Sequence, residues 1–330
     1  MERILSMIRW MTFGIIVNAI NNCNAIGGDV YVHDPSFIKS GPCYYVVSSG
    51  GWFKTGGAAP MRKICNGTAS LVKGDYIPIP HWTAAATKRA HVANLWAPDI
   101  NYFNNQYYIF YAASDAGSRD SAIGVATAAH VEGPYTDQGE VVHTVGTDQF
   151  NAIDPEIAWT FVNGQKTDLW LIFGSYWEGI KMRRLDTKTA KLTPIDFKTY
   201  SLASRGGQAI EGASSCYRDG WYYLFVSFDH CCQGAKSNYR VMVGRSRQIT
   251  GPYVDRNGVD MMKGGGTQIL ASHDHVRGPG GEDVYNDNGV YRMIYHWYDA
   301  NEEGHQKMNI VDLVWDKDHW PSVGPDSKLN

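Results

Sequence analysis

The sequence has no excess of either charge, no long helical periodicity, no zinc-type spacing of cysteine and histidine, and no apolar run long enough to cross a bilayer. Thirty Lys and Arg stand against 33 Asp and Glu, a formal charge of −3 over 330 residues. Nucleic acids and anionic membranes call for a basic face, so neither is expected as a partner. The longest apolar run, Trp10 to Ile20 interrupted by Thr12 and Asn18, is about half the roughly 20 residues a spanning helix needs. Arg3 and Arg9 precede it, polar Asn21, Asn22 and Asn24 follow it, and Ala19 and Ala25 are small residues suited to a cut. Residues 1–25 therefore read as a secretory signal, leaving 26–330 as a single extracellular domain. The six cysteines are Cys23, Cys43, Cys65, Cys216, Cys231 and Cys232. In a secreted chain Cys43 with Cys65 is a candidate disulfide, and Asn66-Gly67-Thr68 is a glycosylation sequon. The adjacent pair Cys231-Cys232 has no account at this level.

What the sequence does have is aromatic residues and turns. Eleven Trp and twenty Tyr sit mostly in short runs with Val, Ile and Phe, separated by Gly, Asn and Asp. That is the pattern of an all-β chain. Five segments share one form, an acidic or glycine opening, a strand, a turn and an aromatic strand. They open at Asp34, Asp99, Asp154, Glu211 and Gly281, spaced by about 55 to 70 residues. Gly133-Pro-Tyr-Thr-Asp and Gly251-Pro-Tyr-Val-Asp are a second echo, each following a strand. Units of roughly four short strands are propeller blades. A two-sheet sandwich gives no reason for acids to recur at the start of successive units, whereas the inner strands of a propeller converge on one channel. The expected fold is a five-bladed β-propeller.

Three of the recurring acids sit between apolar or turn neighbours: His33-Asp34-Pro35, Ile153-Asp154-Pro155 and Ile210-Glu211-Gly212. Buried carboxyls are costly unless used or paired. Glycoside hydrolysis uses two of them across a sugar, one protonated to release the leaving oxygen and one ionised to activate water or attack.

The motifs around these acids resemble glycoside hydrolase family 43, and within it the endo-α-1,5-L-arabinanases. They are Val-His-Asp-Pro-Ser at Asp34, Trp96-Ala-Pro-Asp-Ile, Asn151-Ala-Ile-Asp-Pro-Glu, Gly174-Ser-Tyr-Trp-Glu-Gly-Ile, Ile210-Glu-Gly-Ala and Gly278-Pro-Gly-Gly. Ser227-Phe-Asp-His-Cys-Cys-Gln-Gly and Tyr295-His-Trp-Tyr-Asp-Ala-Asn belong to the same set. The resemblance runs from about residue 30 to Pro321. It implies inverting hydrolysis of α-1,5-linked L-arabinofuranosyl bonds in arabinan, with Asp34 as general base, Glu211 as general acid and Asp154 raising the acid's pKa. Inversion predicts that the Asp34 and Glu211 carboxyls stand about 6.5–9.5 Å apart, and retention about 5 Å. The resemblance also places Trp96, Gly117, Asn151, Ala152, Ile153, Ser175, Tyr176 and Trp177 along the sugar cleft. It implies a structural metal ion on the axis with a histidine ligand, His296, with His273 and His275 as alternatives. A mostly water-filled coordination sphere suits calcium or sodium. No organic cofactor is expected, and the protein is expected to be a monomer. The alternatives are an exo-acting arabinanase, an α-L-arabinofuranosidase or a β-xylosidase of the same fold, then a non-catalytic sugar-binding propeller or a fructan-active enzyme. Glu-Gly-Ala at Glu211 departs from Glu-Ala-Pro, and the long stretch Gly50 to Ala93 is expected to cover the rim between the first two units.

Overall fold

The computed structural model describes residues 26–51, 58–72 and 77–329. The expected signal segment, 1–25, lies outside them. The second strands of the repeats read as continuous apolar runs, such as Tyr108 to Ala113, Leu169 to Phe173 and Tyr222 to Phe228, and these residues are buried. A strand that is apolar on both faces must be covered on both faces. Here each blade is sandwiched between two others. The outermost strands alternate instead, as Thr136–Thr144 does between exposed and half-buried positions along its first half.

Five antiparallel sheets follow one another along the chain. The first holds Ser36–Ser40, Cys43–Val47, Met61–Cys65 and Thr68–Leu71, with Gly27–Gly28 added in parallel at its outer edge. The second runs from Trp96–Phe103 to Thr136–Thr144, the third from Glu156–Val162 to Tyr200–Ala203, the fourth from Ile210–Arg218 to Thr267–Leu270 and the fifth from Val276–Asp287 to Pro321–Asp326. The apolar core falls into five clusters, one at each junction between neighbouring blades. The fifth closes the ring by packing Phe37, Tyr44 and Val46 of the first blade against Ile294, Met308 and Ile310 of the last. The expected five-bladed propeller is what forms. The only α-helix among the described residues is Trp82–Ala86, and no helix among them is long and apolar enough to cross a membrane.

The stretch Gly50 to Ala93 packs Ile77, Ile79, Trp82 and Val92 into the junction of the first two blades. It supplies the two outer strands of the first blade, and its helix leans on the second blade, where the Trp82 indole donates to Asp137 at 3.1 Å. Among its described residues, Gly50 and Gly51 reach the cavity at the axis. Cys43 and Cys65 lie across from each other on adjacent strands, Cα to Cα 4.7 Å, and form the expected disulfide. Asn66 of the sequon sits exposed in the hairpin turn that follows.

At the axis the five inner strands begin alike. The residues with left-handed backbone are Asp34 (φ 48°), Ala97 (φ 35°), Asp154 (φ 53°), Gly212 (φ 58°) and Gly281 (φ 54°). Two residues further on come Ser36, Asp99, Glu156, Ser214 and Asp283, all buried. These lace the blades together. Ser36 Oγ donates to Asp99 at 3.1 Å, the Phe37 N–H to Asp283 at 2.9 Å, the Ile157 N–H to Asp99 at 2.7 Å and the Ser215 N–H to Glu156 at 2.8 Å. Asp99 thus belongs to this lower ring and is not the repeat mate of Asp34. Glu211 stands one residue ahead of the left-handed position, where the other blades have His33, Trp96, Ile153 and Gly280.

Candidate active site

One face of the axis opens into a cavity of about 890 Å³ lined from all five blades. Asp34, Asp154 and Glu211 all reach it. The first two do so from left-handed turns just before Pro35 and Pro155, a conformation that Asp tolerates better than most residues. Glu211 does so from an irregular strand start, where pairing with the neighbouring strand slips between Glu211 and Ser214. Such slips re-aim side chains beside active sites.

The surroundings of the three carboxyls differ. Asp34 Oδ2 accepts from Ser49 Oγ at 2.7 Å and lies 2.8 Å from His33 Nδ1, and the Asp34 N–H donates to His296 Nδ1 at 3.1 Å. Burial pushes this carboxyl up, but the charge and hydrogen bond of His33 and the hydroxyl of Ser49 outweigh it and hold Asp34 well below the usual carboxylate range. Glu211 goes the other way. Burial, helped by the Asp34 charge, pushes it up to about 7 against the pull of the Tyr239 hydroxyl, which donates to Oε1. Asp154 is raised well above its ordinary value by burial first and then by the charges of Glu211 and Asp34, while the Gly212 N–H donates to its Oδ2 at 3.1 Å and opposes the shift. Asp154 and Glu211 therefore compete for a proton: whichever ionises first holds the other protonated.

Seven of the eight expected cleft residues do line the cavity: Trp96, Gly117, Asn151, Ile153, Ser175, Tyr176 and Trp177. Ala152 does not. It is fully buried in the junction of the second and third blades, its side chain turned into the core while its N–H donates to Thr144 Oγ1. Asn151 braces the wall, its amide bonded to Ser175 Oγ at 2.8 Å and its carbonyl oxygen accepting from the Ser175 N–H at 2.8 Å. Trp177 is held from behind by Arg119, whose guanidinium lies 5.6 Å from the ring centre and donates to the Asp148 carbonyl. Residue types alone gave no signal for Ser49, Tyr239 or Arg119, because the first two meet Asp34 and Glu211 from the end of another strand of the same blade and the third meets Trp177 from the neighbouring blade.

His296 is wholly buried and stacks on His33, ring centres 3.9 Å apart. Burial and His33 keep its imidazole neutral, as a metal ligand must be, and its Nε2 has no partner among the described residues. Because Nδ1 accepts the Asp34 N–H, the neutral ring as it stands carries its proton on Nε2; an ion at Nε2 would require that proton on Nδ1, 3.5 Å from Asp34 Oδ1, and the loss of the Asp34 N–H bond. The donor set fits one histidine and water. Gly281 is needed beside it, since a Cβ there would fall 2.7 Å from the His296 ring and 2.9 Å from Asp34 Oδ1. His273 and His275 are exposed on the turn that enters the last blade and do not approach the axis.

The family model described as Glycosyl hydrolases family 43 matches residues 28–321. The chain belongs to that family. It is 39% identical, over 88% of its length and 87% of the relative's, to the extracellular endo-α-(1→5)-L-arabinanase 1 of Bacillus subtilis. Among solved structures it resembles the family 43 endo-arabinanase of Bacillus licheniformis, with a TM-score of 0.81 and 40% identity over 89% of this chain and 98% of that one. An exo-1,5-α-L-arabinanase from a bovine ruminal metagenomic library gives the same TM-score at 34% identity, over 91% of this chain and all of the other. The family 43 backbone therefore does not separate endo from exo action.

Proposed function

We propose that this family 43 chain is a secreted, monomeric hydrolase that cuts α-1,5-linked L-arabinan internally and with inversion. The observation that carries the reading is the opposition of two carboxyls in one cavity. Asp34 is kept ionised and Glu211 is kept protonated to about neutral pH. Asp34 takes a proton from a water, the water attacks the anomeric carbon from the face opposite the leaving oxygen, and Glu211 protonates that oxygen. A gap of about 6.5–9.5 Å between them is what such a water requires. Asp154 shapes the proton affinity of Glu211, and Trp96, Tyr176 and Trp177 offer flat faces for furanose rings.

Internal cleavage is supported by the higher identity to the two endo-acting relatives. On linear, debranched arabinan the viscosity should fall long before reducing ends accumulate, with mixed oligomers as early products. Release of monomer or a single short oligomer with slowly falling viscosity would favour the exo reading. A single calcium or sodium ion at His296 is part of the proposal, supplying positive charge to the axis. Elemental analysis of the purified protein tests it, one ion per chain in the wild type and none in His296→Gln.

Asp154→Asn removes the carboxyl that competes with Glu211 for a proton. General acid catalysis needs Glu211 protonated, so activity is present below its folded pKa and lost as pH rises through it. If Asp154 is the first of the pair to ionise, its removal lowers that pKa, and the alkaline limb of kcat/KM should move to lower pH by about one unit. An unmoved limb would mean that Asp154 is itself protonated while Glu211 titrates.

A further inference from the structure

After Trp221–Phe228 the chain turns through Asp229, His230, Cys231 and Cys232, and the two adjacent cysteines are joined to each other. The turn is tightly held. Asp229 and Cys232 have left-handed backbone (φ 71° and 64°), and Asp229 is gripped by Arg205 at 2.9 Å and Arg240 at 2.7 Å. The Cys232 N–H donates to the Tyr298 hydroxyl at 2.7 Å, which lies 2.8 Å from His33 Nε2. Both cysteines line the catalytic cavity. Cys231 Sγ stands 4.0 Å from Glu211 Oε1, and Cys232 Sγ stands 3.6 Å from His33 Nε2, whose other ring nitrogen meets Asp34. The disulfide therefore bridges the environments of the two reacting carboxyls, and the acid and base roles make no use of it.

We propose that the Cys231–Cys232 disulfide is a positioning wall of the acid side of the cavity, keeping a proton donor away from Glu211, and that its reduction to two thiols slows hydrolysis. The proposal rests on Glu211 being the general acid. A disulfide sulfur carries no hydrogen and accepts only weakly, whereas a thiol donates. Reduction by a dithiol supplies two electrons and two protons. The S–S bond breaks, Cys231 and Cys232 each gain a hydrogen, and the dithiol closes to its own disulfide. The Cys231 S–H then faces Glu211 Oε1, and a donor to the ionised form favours it. The other groups facing Glu211 are the hydroxyls of Tyr239, Tyr176 and Tyr298, the carboxyls of Asp154 and Asp34, and His33. None of them changes composition on reduction. With Glu211 ionising earlier, the alkaline limb of the rate profile moves down.

Access favours selective reduction. Cys232 is exposed and Cys231 half-buried in an open cavity, while Cys43 is buried within its strand pair. The test uses the Cys43→Ala/Cys65→Ala chain. If that variant does not fold, wild-type protein is used under conditions where thiol titration shows two new thiols. kcat/KM on debranched arabinan is measured against pH for the oxidised, reduced and reoxidised protein and for Cys231→Ser/Cys232→Ser. The expected result is an alkaline limb lowered by about one pH unit in the reduced and serine forms, an about tenfold loss above the limb, and full recovery on reoxidation. A limb that stays in place, with activity unchanged or lowered equally at every pH, overturns the proposal. Glu211→Gln separates this from the reading beneath it. If the limb persists in Glu211→Gln, Glu211 is not the acid; if it vanishes there but ignores reduction, only the role of the disulfide fails.

Discussion

Glu211→Gln should lower kcat on debranched arabinan by about 10³-fold while leaving the fold intact, because the amide keeps the shape of the side chain but has no acid proton to give. The Tyr239 hydroxyl, which donates to Glu211 Oε1, can still donate to the amide oxygen, so the side chain stays anchored. The loss should depend on the leaving group. A sugar alkoxide needs protonation as the bond breaks, whereas an aryl oxide with strong electron-withdrawing groups leaves without it. On an activated aryl arabino-oligosaccharide most of the loss should therefore disappear. Steady-state kinetics on the two substrates, with circular dichroism as a check on folding, measures this. Equal losses on both would place Glu211 in binding or structure and leave the acid unidentified.

Removing Asp34 should cost a comparable factor, about 10²–10⁴ in kcat, for a different reason. Here it is water that lacks activation, while the acid is intact. Glycine is the better replacement. The backbone at Asp34 is left-handed (φ 48°), which glycine adopts freely and alanine resists, so Asp34→Gly separates lost chemistry from backbone strain. The vacated space beside Ser49 and His33 should admit azide, which needs no base. Azide should restore turnover, attacking the anomeric carbon opposite the leaving oxygen while Glu211 protonates that oxygen, and the product should be the β-L-arabinofuranosyl azide. Rescue that yields the α-azide would contradict the assignment, because it would mean attack from the face the leaving group departs.

The ring of blades was readable from the chain because its inner strands start with the same local chemistry. A left-handed residue followed by proline recurs at Asp34, Ala97 and Asp154, and tight strand starts with glycine replace it at Gly212 and Gly281. The sequence pattern aligned Asp99 with the catalytic acids because both are acidic residues opening a unit, but a two-residue offset puts Asp99 in the lacing ring below. Period alone could not separate these layers, since residues two apart on a strand share a face and differ only in depth along the axis. Ala152 was misread for the opposite reason. It lies between Asn151 and Ile153, which line the cavity, yet its own side chain points into the blade junction. Of the partners that set the proton affinities, His33 is the neighbour of Asp34 in the chain, but Ser49 and Tyr239 come from the ends of other strands, and a single chain carries no record of which residues meet across them. The one exception was Cys231-Cys232, whose adjacency was conspicuous before its position was known.

Inversion itself is the most direct test of two carboxyls opposed across one sugar with a water between. Proton NMR of wild-type enzyme acting on debranched arabinan at high enzyme concentration reports the anomeric form of the newly made reducing ends before mutarotation mixes them. The β-anomer should appear first and decay toward equilibrium. Appearance of the α-anomer first would mean a double displacement, and the roles given to Asp34 and Glu211 would not stand.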